Sequence, residues 1–232
     1  MFGGESLSTE INMNTIIIPT IALFASASFA SVTPFTETFE SGANGWTQGS
    51  FAAPTLSLSG ALDGSAYISA SADLNSSGPF GLSIFRGEDN FDASSDSFVG
   101  NYISSGINRV SFDLRHNAGQ DLNVALRVAG SNNFPGLAVE LSDFVASDEW
   151  ITLEFDLDFS NPLITLEGPP TPEFYNSVME AVGNLQVTVA RPDGLVDPLV
   201  VDFDLDNVRI TPTPSTLALL SIGGLGMTRR RR

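Results

Sequence analysis

The chain contains no cysteine, no lysine and a single histidine. Without cysteine it can form no disulfide, no thiolate-bound zinc site and no thiol nucleophile. The one histidine, His116, leaves a single candidate base for a serine triad, and no Gly-x-Ser-x-Gly nucleophile motif accompanies it. Because His116 stands beside Asn117 and Gly119 after a predicted strand, we expect an exposed turn histidine and not a catalytic base.

Negative charge dominates the chain. Ten basic residues, all arginine, stand against 27 acidic ones, for a formal net charge of −17. Such a surface repels phosphate backbones and anionic lipid headgroups, so we predict no nucleic-acid partner and no membrane binding by the folded part. It suits an exported protein or one that binds divalent cations. Hydrophobic residues make up 42% of the sequence, which is enough for a sizeable core.

The first 30 residues have the layout of a signal peptide. An apolar run from Ile16 to Ala27 precedes Ser28-Phe29-Ala30, whose small residues suit a cut after Ala30. No basic residue comes before the apolar run, and Met13 is an alternative start. We therefore predict a signal helix over residues 1–30. The alternative is a buried N-terminal strand or helix.

The last 21 residues contain a short apolar segment followed by a basic end. Residues 215–228 carry no charge and as a helix would span about 21 Å, against a hydrocarbon core of roughly 30 Å. Glycines weaken that helix further. The basic cluster Arg229, Arg230, Arg231 and Arg232 would keep the C-terminus in the cytoplasm. These features predict a transient membrane segment; a simple C-terminal anchor is the alternative.

The same tail resembles a known sorting signal. Pro212, Thr213 and Pro214, then Ser-Thr-Leu-Ala-Leu-Leu, a Gly-rich apolar run and the four terminal arginines are similar to the PEP-CTERM signal, with Thr213 where that family usually has glutamate. The resemblance implies an exosortase-type enzyme that recognises residues 212–232 and is thought to cleave them. It also implies delivery to the cell surface or extracellular matrix, with a transient inner-membrane stage.

Between the two ends, residues 31–211 read as one all-β domain. Polar and apolar residues alternate in five segments, which places apolar side chains on one face of a sheet: residues 109–115, 123–128, 151–158, 185–189 and 201–206. Turn-forming clusters separate them. Only Pro172–Val182 reads as a helix, with Gly183 as its stop. The pattern predicts an antiparallel two-sheet jelly-roll sandwich with one short helix.

Three short motifs resemble a known jelly roll. They are Phe39-Glu40-Ser41-Gly42 before Gly45-Trp46, Asp63-Gly64-Ser65-Ala66-Tyr67-Ile68, and Asp204-Leu205-Asp206-Asn207-Val208-Arg209-Ile210. In this order they are similar to the galactose-binding-like roll of carbohydrate-binding modules and to laminin-B-type domains. The resemblance implies one structural Ca²⁺ held by Glu40, Asp63 and Asp206. The alternative is three independent surface acids.

Saccharide binding would need exposed aromatic rings, and the chain offers four candidates: Trp46, Tyr67, Tyr102 and Trp150. We expect Trp46 to pack beneath the first turn, and we retain Tyr102 and Trp150 as candidate ligand residues, with core or rim packing as the alternative. Acidic residues are frequent but mostly stand on outward strand positions, so paired catalytic carboxylates are not favoured. The sequence predicts an exported, non-catalytic binding or structural protein; the alternatives are a carbohydrate-binding module for extracellular polysaccharide and a glycan hydrolase.

Overall fold

The computed structural model describes residues 31–76, 81–141, 143–190 and 200–212. The predicted signal helix and the apolar tail lie outside these residues, except that Pro212 ends the last strand. The described residues form two antiparallel sheets and two short helices, with three 3₁₀ turns between them. This confirms the predicted all-β, two-sheet jelly-roll sandwich.

The first sheet is built around the last strand of the described chain. Its strands are β1 (Phe35–Glu37), β3 (Thr55–Ser57), β4 (Tyr67–Asp73), β6 (Ile107–His116), β9 (Ile151–Asp156) and β12 (Val200–Pro212). They follow the order β3-β4-β12-β6-β9. The thirteen-residue β12 pairs with β4 through its first half and with β1 through its second half, along the same edge. The early and late ends of the domain therefore meet in one sheet.

The second sheet contains the other six strands of the described residues. They are β2 (Thr47–Gln48), β5 (Leu82–Glu88), β7 (Val124–Gly130), β8 (Gly136–Glu140), β10 (Ile164–Leu166) and β11 (Val182–Val189). They follow the order β10-β8-β7-β11-β5-β2. The helices are α1 (Tyr102–Ser105) and α2 (Pro172–Met179).

The inner faces of the two sheets enclose one hydrophobic core. Phe112 and Phe155 stack in it with ring centroids 5.2 Å apart. Trp46 is 1% exposed at one end of the core, where Phe39 and Phe98 meet it edge to face. A Cβ on Gly87 would lie 2.7 Å from the Trp46 ring, so only glycine admits the indole at this position. The expectation that Trp46 packs beneath the first turn is confirmed.

The predicted helix is shorter than expected. It starts at Pro172, where the Thr171 hydroxyl accepts a hydrogen bond from the Phe174 amide, but it ends at Met179. Val182, predicted as its last residue, pairs with β7 in the second sheet. Gly183 is therefore not a helix stop. It allows close contact with Ser131, because a Cβ on it would lie 2.5 Å from the Ser131 hydroxyl.

No helix among the described residues has the length and apolar character needed to cross a membrane. The predicted transient membrane segment, residues 215–228, lies outside them.

Candidate functional site

The three predicted metal ligands all contact one turn, the segment that leads into β4. The Ser65 hydroxyl contacts an Asp63 carboxylate oxygen and lies 2.8 Å from Oδ2 of Asp206. Oε1 of Glu40 accepts the Ala66 amide at 3.1 Å. β1 pairs with β12. Residues from the start and the end of the domain therefore converge on this turn.

Asp206 is the most unusual acid of this group because it is 0% exposed. Its pKa is raised to about 6, chiefly because burial disfavours the charged form; the nearby charges of Asp63 and Asp113 also raise it, while hydrogen bonds from Ser65 and Asn207 lower it. Its Oδ1 atom is buried without a hydrogen-bond partner. A carboxylate in that state is stabilised by a cation bound next to it.

Sequence reasoning missed Asp113, which stands directly opposite Asp206 in the β6–β12 pairing. The Asn207 side-chain amide joins them, at 2.9 Å from Oδ2 of Asp113 and 3.2 Å from Oδ2 of Asp206. Thr152 donates to the other Asp113 oxygen at 2.5 Å. Asp113 is 6% exposed, although its alternation pattern placed it on the solvent face. Asp113 could have been matched with Asp206 only if the register of β6 on β12 had been known.

The described residues contain no group of three or more His, Cys, Asp or Glu side chains arranged to hold a metal ion. Glu40, Asp63 and Asp206 therefore do not form a ready three-carboxylate cage. Calcium accepts six to eight oxygen ligands, including carbonyls and waters, and does not require three carboxylates. The unpartnered Oδ1 of Asp206 is the atom in this group that fits a cation.

The two aromatic ligand candidates lie in different environments. Tyr102 is 0% exposed and its hydroxyl donates to the Phe98 carbonyl, so its prediction as a ligand residue is wrong. Trp150 is partly exposed, contacts the Tyr67 ring edge to face at 5.4 Å and donates from its indole N–H to the Gly60 carbonyl. The Arg115 guanidinium lies 4.9 Å from the Trp150 ring centroid.

His116 is not the exposed turn residue that the sequence predicted. It ends β6 at 1% exposed, with Nε2 3.0 Å from the Val145 carbonyl and its ring against Phe203. Burial lowers its pKa below the ordinary value, which the hydrogen bond to Val145 partly opposes. The ring is held within the fold, and its other nitrogen, Nδ1, accepts from the Ala118 amide at 3.3 Å. The prediction that it is not a catalytic base remains a prediction.

A second polar site, which the sequence did not indicate, lies on the outer face of the second sheet. We call it the arginine groove and define it by Arg86, Arg127, Asn133, Glu167 and Gln186, which line a pocket of about 390 Å³. Arg86, Gln186 and Arg127 stand side by side on neighbouring strands β5, β11 and β7. Both arginines are 9% exposed and Gln186 is 3% exposed.

Both arginines of the groove are paired with carboxylates. Arg127 makes two contacts to the Glu167 carboxylate, at 2.5 and 2.7 Å, and Arg86 pairs with Glu88. The Asn133 side-chain oxygen accepts from both Arg127 and Gln186. Two arginines and two glutamates leave no net charge, and their geometry is fixed before any ligand arrives.

Buried oxygens without partners and exposed aromatic rings surround this network. Thr47 Oγ1, Ser83 Oγ and Asn184 Oδ1, all on strands of the second sheet, are buried without a hydrogen-bond partner. Phe134 lines the groove and is 62% exposed, and Phe51, 52% exposed, stacks on the Arg86 guanidinium at 4.4 Å. The groove thus combines fixed donors and acceptors with apolar rings at its rim.

No family model and no curated protein matches the chain. Solved structures of similar shape include the CBM22-1–GH10 modules of Clostridium thermocellum endo-1,4-beta-D-xylanase 10B in complex with xylohexaose, at 18% identity and a TM-score of 0.46. That match covers 78% of this chain and 29% of the other, so the present chain spans less than a third of its length.

Two further structures are smaller domains. The family 11 carbohydrate-binding module from Clostridium thermocellum, in complex with a beta-1,3-1,4-mixed-linked tetrasaccharide, is 12% identical over 79% of this chain and 98% of that one, with a TM-score of 0.44. The L4b domain of human laminin alpha-2 is 8% identical over 51% and 67%, with a TM-score of 0.35.

Proposed function

We propose that the chain is an exported, non-catalytic jelly-roll protein that binds polysaccharide through the arginine groove. The observation that carries the proposal is the row of buried polar side chains from Arg86 through Gln186 to Arg127 on an outer sheet face. Sugar hydroxyls both donate and accept hydrogen bonds, and they suit a surface with guanidinium, amide and carboxylate groups in fixed positions. The exposed Phe134 ring offers an apolar surface to the face of a sugar ring.

The absence of net charge in the groove favours a neutral polysaccharide. Each arginine already has a carboxylate partner, so an acidic sugar would have to displace Glu88 or Glu167. The formal charge of the chain, −17, opposes an anionic polymer as well. We therefore expect neutral glycans to bind more tightly than uronate-containing ones.

The same pairing supports a binding role over a hydrolytic one. A glycosidase needs one carboxyl group that holds a proton and a second that is free to attack or to activate water. Glu88 and Glu167 are each held in an ion pair with an arginine. Neither carboxylate is free to attack a sugar or to activate water, so hydrolysis remains the less favoured alternative.

Binding can be tested by isothermal titration with xylohexaose and with a mixed-linkage β-glucan oligomer. The variant Phe134→Ala should weaken binding about tenfold, because the rim loses its apolar surface. Phe144→Ala is the matched control, since Phe144 is 67% exposed and does not line the groove. Equal affinities in the two variants, or no binding of any neutral glycan by the parent protein, would argue against the proposal.

Export and sorting belong to the proposal and are supported by the sequence of the two ends. Residues 1–30 direct export, and residues 212–232 are recognised by an exosortase-type enzyme that delivers the protein to the cell surface or extracellular matrix. In the structure Pro212 is the last residue of β12, so the sorting tail continues directly from a paired strand. Mass spectrometry of the native protein would give both ends. An intact apolar tail on the mature protein would contradict processing.

A structural calcium ion near Asp206 also belongs to the proposal. Asp206 and Asp63 would supply carboxylate oxygens, with Glu40 close to the same turn. The ion would compensate a buried negative charge and tie β12 to the turn before β4. Its role would be to stabilise the fold, and it would lie on the sheet opposite to the arginine groove.

A further inference from the structure

The outer face of the first sheet carries a polar pocket of its own, of about 490 Å³. Most of its polar lining comes from three neighbouring strands of the first sheet and from the segments beside them: Ser69 and Ser71, Asp202 and Asp204, Arg115 and Asn117. Gln48 of β2 and Thr55 of β3 also border it. Because the two sheets pack face to face, this pocket and the arginine groove lie on opposite sides of the sandwich. We call it the β12 pocket.

The polar groups of the β12 pocket are fixed by one another. Ser69 donates to Asp204 at 2.5 Å, and Arg115 donates from Nε to the other oxygen of Asp204 at 2.9 Å. Asn117 and Asp202 bond reciprocally, through the Asn117 amide to Oδ2 at 3.0 Å and the Asp202 backbone N–H to Asn117 Oδ1 at 2.8 Å. Carboxylate acceptors and guanidinium and amide donors are thus presented together in a defined geometry.

Aromatic rings stand next to these polar groups. The Arg115 guanidinium lies over the Trp150 ring at 4.9 Å and near the Tyr67 ring at 5.5 Å, and it also donates to the Tyr67 hydroxyl at 3.3 Å. Trp150 is held in turn by its bond to Gly60. A ligand that engages Arg115 therefore alters the surroundings of the Trp150 indole.

The charge of the pocket limits what it can bind. Asp148, Asp202 and Asp204 line it together with one arginine, so a ligand with carboxylate, sulfate or phosphate groups is repelled. A sugar unit has hydroxyls to donate to the aspartates and oxygens to accept from Arg115 and Asn117. Such a unit fits if it carries no negative charge, whether it is neutral or bears an amine.

We propose that the β12 pocket is a second saccharide site, for a sugar unit without negative charge, and that the protein joins two polysaccharide chains from opposite faces. The joining of chains rests on the proposed function of the arginine groove, whereas binding in the β12 pocket does not. A cross-linking role requires no catalysis and suits a protein delivered into an extracellular polymer.

The two tryptophans allow a direct test of the pocket. Trp46 is 1% exposed and Trp150 is partly exposed beside Arg115, so their indole N–H signals in NMR spectra report different environments. Hexamers of N-acetylglucosamine, of glucosamine and of xylose are titrated separately, with a galacturonate hexamer as the anionic probe. We expect at least one of the first three to shift the Trp150 signal and leave Trp46 unchanged, and the galacturonate hexamer to shift neither.

The double variant Asn117→Ala/Asp148→Ala should weaken that response at least tenfold, since both residues are exposed at the pocket. Glu173→Ala/Asn176→Ala removes the same two kinds of group from exposed positions on α2 and should leave the response unchanged. A silent Trp150 signal with all three hexamers would overturn the proposal. So would full binding by the first double variant, or equal binding of galacturonate.

Cross-linking is measured separately by light scattering with a high-molecular-weight polymer of the sugar that binds. The parent protein should aggregate the polymer, and Phe134→Ala should bind it without aggregating it. If Phe134→Ala shifts the Trp150 signal normally while the groove binds no glycan in the parent protein, the proposed function fails and the second site stands. If the parent protein binds at both faces and no aggregation follows, the joining of chains is refuted.

Discussion

Ser65 and Asp206, 141 positions apart in the chain, meet with the Ser65 hydroxyl 2.8 Å from Oδ2 of Asp206. The contact joins an early turn to the last strand and brings the buried Asp206 carboxylate beside Asp63. A buried carboxylate beside a second acid destabilises the fold unless a proton or a cation compensates its charge.

Calcium should raise the thermal stability of the parent protein, and EDTA should reverse the effect. Binding to the folded state alone adds about 2.7 kcal/mol at a concentration one hundred times Kd, which is several degrees in the midpoint for a domain of this size. The variant Asp206→Asn should lose the calcium response. In EDTA it should be more stable than the parent by about 1–2 kcal/mol, because the buried charge is gone. Differential scanning calorimetry with and without Ca²⁺ measures both effects, and identical curves for the parent protein would rule the site out.

His116 should make the fold less stable in mild acid. Its folded-state pKa is lowered, so the unfolded chain binds a proton more readily than the folded one. The contribution of His116 to the stability of the fold is therefore fully present above the ordinary pKa of about 6.5. It is lost as pH falls from there toward the folded-state pKa. The single imidazole of the described chain can be titrated by NMR without assignment. A pKa at or above 6.5 in the folded protein would contradict this expectation.

Arg127 and Glu167, the ion pair of the arginine groove, should be strongly coupled in their effects on the free energy of unfolding. Arg127 and Glu167 have side chains that are each 11% exposed. Arg127→Met alone should destabilise the protein by about 3–5 kcal/mol, because Glu167 is left buried with an unpaired charge. Adding Glu167→Gln should restore a large part of that loss. Urea denaturation of the single and double variants gives the coupling energy, and additive effects would show that the pair is not energetically linked.

Ser94 should be important for stability although it is a small polar residue. Its hydroxyl accepts from the Trp46 indole at 2.9 Å and donates to Oε2 of the buried Glu37 at 2.6 Å. Ser94→Ala leaves both partners unsatisfied and should lower the free energy of unfolding by about 2–3 kcal/mol. The control Ser41→Ala, at an exposed serine, should change it by less than about 0.5 kcal/mol. Similar losses in both variants would mean that the buried network contributes little.

Local sequence patterns predicted five of the twelve strands of the described residues and the face that most of their side chains occupy. Alternation in residues 151–158 and 201–206 placed apolar side chains inward, as they are in β9 and β12 except for Ile151, which is 41% exposed. The alternation in residues 185–189 also gave the correct faces, but it implied solvent at Gln186 and Thr188, which are 3% and 4% exposed. Alternation reports which face a side chain occupies. It contains no information about loops that cover that face.

The candidate site residues also divide into those that the sequence indicated and those that only tertiary contacts reveal. Resemblance to jelly rolls brought Glu40, Asp63 and Asp206 to attention, and the structure gathers all three around one turn. Asp113 and the arginine groove were missed because their partners are far apart in the chain, as with Arg127 and Glu167, 40 residues apart. Tyr102 and His116 were placed at the surface because single-residue exposure depends on neighbours that local patterns do not contain.

The sequence by itself determined an acidic, cysteine-free, all-β domain, because composition and alternation act locally and do not depend on which strands pair. The proposed export and sorting signals are likewise features of linear segments. Only the tertiary structure decided which polar residues are buried together, because the order of the strands in each sheet determines which side chains are adjacent. The pairing of β12 with both β1 and β4 brings Asp206 to Ser65, and the β5-β11-β7 order places Gln186 between two arginines.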